Sequence, residues 1–65
     1  MMSVRFIVGE QVRLRTAIPA VCAGTLGTIH LVYRSVDDTY DVRFDGCTRP
    51  QLMQVHHLER VAAVV

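Results

Sequence analysis

Hydrophobic and polar positions alternate most cleanly over Thr39–Asp45. Tyr40, Val42 and Phe44 fall on one side and Asp41, Arg43 and Asp45 on the other, the period of a half-buried strand. Upstream, Thr25–Arg34 is rich in β-branched and aromatic residues. Ile29, Leu31 and Tyr33 alternate there with Thr28, His30 and Val32, so its second face is only partly polar. The short polar segment Ser35-Val36-Asp37-Asp38 separates the two runs, which predicts a β-hairpin from Gly24 to Gly46.

The flanking segments predict further strands. Glu10–Thr16 alternates, with Val12 and Leu14 inward and Gln11, Arg13 and Arg15 outward. Ala17–Ala23 contains Pro19 and has no period, so it reads as an apolar loop. Its Ile18, Val21 and Cys22 are candidates either for an interface or for closing one end of the core. Gly24 and Gly27 mark a bulge or a close approach of backbones. Asp45-Gly46 is the strongest short hairpin-turn signal. Arg49–Val55 reads as a fourth strand, with Pro50 at its start or on an edge. His56-His57-Leu58 fits one 3₁₀ turn, and Glu59–Val65 supplies the fifth strand. Ser3–Val8 is an extra edge strand or an arm, which divides the chain into residues 1–8 and a barrel over 9–65.

Five short strands, a long first loop and a single 3₁₀ turn before the last strand predict an all-β fold, a small five-stranded SH3-like barrel. The expected core is Val12, Leu14, Leu26, Ile29, Leu31, Tyr40, Val42, Phe44, Leu52, Leu58 and Val61. With Leu52 inward, alternation sends Gln51, Met53 and Val55 outward as a strip suited to a subunit contact.

Composition adds one inference to this pattern. Of 65 residues, 51% are hydrophobic and the mean hydropathy is +0.29, more apolar surface than so short a chain buries alone. The surplus, in Val21, Cys22, Val32, Met53 and Val64-Val65, implies a partner: a copy of itself, as a dimer or tetramer. A net charge of +1, with all seven cations arginine, does not favour nucleic acid or an acidic membrane. Met1–Val8 is too short and mixed for a signal peptide, and no apolar run approaches the roughly 20 residues of a membrane span. The expected location is cytoplasmic, with Cys22 and Cys47 as free thiols.

The frame Gly9-x-x-Val12, Gly24-x-x-Gly27-x-Ile29, Tyr40-x-Val42-x-Phe44 and Leu58-Glu59-Arg60-Val61 resembles many SH3-like barrels. Its first half is similar to KOW modules, which bind RNA and proteins. Over the stretch from Gly9 to Val61 it resembles the type II plasmid-borne dihydrofolate reductases, short barrels that form a tetramer around one central active-site pore. Counting back from Leu58-Glu59-Arg60, the Pro50-Gln51-Leu52-Met53 segment falls on that family's Val-Gln-Ile-Tyr motif. Gln51 matches its pore glutamine, whereas Met53 replaces its functional tyrosine. Leu14 falls on its ligand-attracting lysine. The resemblance therefore implies the fold and assembly, with reductase chemistry incomplete.

The residue types that carry chemistry do not assemble into a motif. His30, His56, His57, Cys22 and Cys47 lack zinc-ligand spacing, and adjacent histidines are expected to point apart. Cys47 has only Arg49 nearby to favour a thiolate. Asp37, Asp38, Asp41 and Asp45 read as turn and solvent-face residues. Tyr33 beside Arg34 is the one platform suited to a nucleic-acid base. The expectation is a non-enzymatic binding module without metal or cofactor, whose ligand is a protein or small molecule. Its candidate ligand or interface residues are Gln51, Met53, Val55, Arg49, Tyr33 and Arg34.

Overall fold

The computed structural model describes residues 5–34 and 38–61. Five strands form one antiparallel sheet: β1 (Gln11–Leu14), β2 (Leu26–Arg34), β3 (Asp38–Phe44), β4 (Gln51–Gln54) and β5 (Leu58–Arg60). Their order is β4-β3-β2-β1-β5. A single 3₁₀ turn, Val55–His57, stands between β4 and β5. The sheet curls into the SH3-like barrel that the pattern predicts. Ser35–Asp37, assigned to the hairpin turn, and 62–65, assigned to the end of the last strand, lie outside the described residues, as do Ser3 and Val4.

Register explains the curl and the core. Across the central strands, the row Val32–Tyr40–Met53 and the row Ile29–Val42–Gln51 face inward. Val12, Gly27 and Phe44 form a third inward row. A Cβ on Gly27 would stand 2.8 Å from Phe44 Cδ1 and 2.8 Å from Val42 Cγ1, so the glycine lets two core side chains close over β2. The close approach, rather than a bulge, accounts for this residue. The ladder slips instead between Ile29 and Leu31, three residues further on, and this bulge bends β2.

That slip corrects the expected core. Beyond it, Val32 turns partly inward and Leu31 outward, where Leu31 is 45% exposed. On β4, Met53 pairs with Tyr40 and is buried, while Leu52 is 63% exposed. The expected strip of Gln51, Met53 and Val55 is therefore not an outward face: Met53 is core, and Val55 packs against the core from the 3₁₀ turn. Leu26 and Val61 are half-buried rather than central. Val21 belongs to the core, with Ile18 packed on it, and Cys22 is exposed. The apolar loop thus closes one end of the barrel. Its tip is a tight reversal in which Ile18 and Val21 exchange backbone hydrogen bonds at 2.9 and 3.1 Å.

Phe6 is the largest departure. Read as part of an arm, it is buried, with its ring edge-on to Tyr40 at 5.3 Å. Its N–H donates to Tyr40 Oη at 3.3 Å, which gives the buried phenol oxygen a partner. Residues 5–8 form no strand; the chain turns at Gly9 and joins the β1–β2 ladder through Gly9 N–H to Ile29 O (2.8 Å) and Ile29 N–H to Glu10 O (2.9 Å). Arg60 ties this segment down. Its Nε donates to Glu10 Oε2 at 2.6 Å, its Nη2 donates to Arg5 O at 2.6 Å, and its guanidinium lies 5.4 Å from the Phe6 ring centre.

Candidate functional site

The residues nominated from sequence separate into three places. Arg49 and Gln51 come together with Ala20, Gly46, Cys47 and Thr48 around an open cleft of about 290 Å³ between the first loop and the β3–β4 connection. Asp45-Gly46 begins that connection, with Gly46 at φ +83° and Cys47 N–H donating to Phe44 O at 3.0 Å. The return is not a two-residue hairpin, since β4 starts only at Gln51. Tyr33 and Arg34 stand at the far end of β2, exposed. Met53 and Val55 face the core.

The cleft offers little chemistry. Cys47 Sγ–H donates weakly to Ala20 O at 3.7 Å, and Gln51 Nε2 donates to Arg49 O at 3.5 Å. Its lining includes no histidine or carboxylate to take a proton from the thiol. Among the described residues no cluster of three histidine, cysteine or acidic side chains fits a metal ion. His56 and His57 do not point apart as expected. The 3₁₀ turn brings their rings to 4.0 Å, and His57 Nδ1 accepts the Gln54 N–H at 3.2 Å, so that ring serves the turn.

A different constellation lies on the outer face of β2, β3 and β4. Leu31, Asp41 and Leu52 form one row across the three strands. Both leucines are exposed, and between them Asp41 is only 8% exposed. Its Oδ1 is covered and has no hydrogen-bond partner among the described residues. Tyr33, 46% exposed, lies in the next row on the same face. Arg43, two residues along β3 from Asp41, is exposed and makes no ion pair among the described residues. A face of large apolar side chains around an unsatisfied carboxylate is suited to recognition.

This face is not legible in the sequence, because alternation predicts both leucines inward and Asp41 in solvent. One signal was available. Asp41 interrupts the middle of a strand, between Tyr40 and Val42, where aspartate is depleted.

Compared with known protein families, curated proteins and solved structures, the chain matches none. Among the described residues no helix is long and apolar enough to cross a membrane.

Proposed function

We propose that this chain is a non-enzymatic SH3-like binding module that works in the cytoplasm as a homo-oligomer and takes a protein or small molecule as ligand. The observation that carries the reading is the outer face of β2–β4, where Leu31, Tyr33 and Leu52 are exposed together. Two large apolar side chains on β2 and one on β4, on either side of β3, form a patch of the kind that association covers. Light scattering at micromolar concentration tests it: a mass of at least twice the 7.3 kDa chain is expected, and a homogeneous monomer overturns it.

Two alternatives each rest on a specific feature. Gln51, the match to the pore glutamine of type II dihydrofolate reductases, lines an open cleft. Against that reading, Leu14 and Met53, at the positions of the family's lysine and tyrosine, are both packed inside the barrel. A KOW-like nucleic-acid module is favoured by exposed Tyr33 beside exposed Arg34. Titration with single-stranded RNA at two salt concentrations separates it, because binding through arginine–phosphate contacts weakens steeply with salt.

A further inference from the structure

We infer that the outer face of β2–β3–β4 docks on the same face of a second copy, with Asp41 of each chain paired to Arg43 of the other. The inference rests on the homo-oligomer reading and names its interface. Asp41 stands between Leu31 and Leu52, its cross-strand neighbours, with its Oδ1 buried and accepting no hydrogen bond among the described residues. Such an atom is rare in a finished structure and demands a donor. The donor has to enter from above the sheet, since Tyr40 and Val42 on either side of Asp41 fill the barrel below.

The same face supplies that donor. Asp41 and Arg43 share one face of β3, and Arg43 is exposed with no ion pair among the described residues. A two-fold axis running across the strands at the level of Val42 sets β3 antiparallel to its copy. Asp41 then lies opposite Arg43, and Arg43 opposite Asp41, the reciprocity an isologous contact requires. Packed sheets stand about 10 Å apart, a gap that a short carboxylate and an extended arginine span together. Leu31, Leu52 and Tyr33 surround the two ion pairs and exclude water from them.

The test is a charge swap read by sedimentation or light scattering, with circular dichroism as the check on folding. Arg43→Asp places like charges opposite each other and should weaken dimerisation roughly tenfold or more, as should Asp41→Arg. An equimolar mixture of the two variants restores opposite charges at both contacts, so heterodimers should form where neither variant dimerises alone. The double variant Asp41→Arg/Arg43→Asp should also dimerise. Leu52→Glu, remote from the core, should disrupt the dimer while the barrel stays folded. If Asp41→Arg fails to fold, Arg43→Asp and Leu52→Glu decide the question alone. A monomeric wild type overturns both this interface and the homo-oligomer reading. A wild-type oligomer whose affinity is unmoved by Arg43→Asp and Leu52→Glu overturns this interface only, as does a mixture of folded variants that fails to pair.

Discussion

Tyr40 and Asp41 are neighbours on β3, both buried, on opposite faces of the sheet. The phenol points into the barrel, where the backbone N–H of Phe6 reaches it at 3.3 Å and the Phe6 ring covers its edge. The carboxylate points outward between Leu31 and Leu52, its cross-strand neighbours, where Oδ1 is buried and has no hydrogen-bond partner among the described residues. The inner face is thus finished by the chain itself, down to a segment that arrives from outside the sheet. The outer face excludes water from a polar atom without supplying its partner. Burial by itself therefore does not mark a core. What separates the two faces is whether the buried polar groups are satisfied.

The sharpest way to break this contrast is a pair of substitutions one residue apart. Met53→Arg puts a charge beneath Tyr40 and is expected to unfold the chain, because a domain of this size has roughly 3–10 kcal/mol of stability in total and an unpaired buried charge consumes much of it. Leu52→Arg, on the other face, should leave the thermal midpoint of the monomer nearly unchanged. A folded Met53→Arg protein would mean that β4 sits one residue out of register.

That pair also shows where the sequence is legible. In β3, polar and apolar residues alternate, so Tyr40, Val42 and Phe44 were identifiable as core. In β4, Gln51-Leu52-Met53-Gln54 has two apolar residues side by side, and either could face inward. Cross-strand pairing of Met53 with Tyr40 decides between them. The bulge after Ile29 leaves no trace in a run where both faces are partly apolar, so alternation alone puts Leu31 on the wrong side. For Asp41 the residue type was visible, but its burial depends on those same two leucines. Phe6 could not be placed by periodicity, since no strand surrounds it; a tertiary contact with Tyr40 holds it.

Phe6→Ala tests whether the inner face needs that arriving segment. Removal of a fully buried ring costs about 3–5 kcal/mol where the site cannot collapse, and here it also leaves Tyr40 Oη open to lose its donor. Denaturant unfolding should show a loss near the lower figure. A loss under about 1 kcal/mol would mean that the barrel closes without the segment. Gly27→Ala probes the same packing from β2. Its added methyl meets Phe44 and Val42 at 2.8 Å, and overpacking of this kind costs about 1–3 kcal/mol. Thr28→Ala, on the outer side of the same strand, should fall well below it, and equal effects would remove the distinction between the faces.

The smallest effect compares two arginines on the outer face. Arg13 on β1 faces Glu59 on β5 in the ladder, and its Nη1 lies 3.9 Å from the Glu59 carboxylate. Both side chains are about half exposed, so solvent and salt screen the pair and its removal should cost at most a few tenths of a kcal/mol. Arg43 has no such partner among the described residues, and its truncation should likewise leave the unfolding midpoint of the monomer in place. Stability alone will not tell Arg13→Ala from Arg43→Ala. Assembly will: the β1–β5 side of the outer face is already neutralised by its own pair, whereas the β2–β4 side holds a carboxylate and an arginine two residues apart and unjoined. Measured side by side by sedimentation, Arg13→Ala should retain the wild-type mass and Arg43→Ala should shift toward monomer. If both shift equally, the two halves of the outer face are equivalent, and Asp41 is buried without a function in assembly.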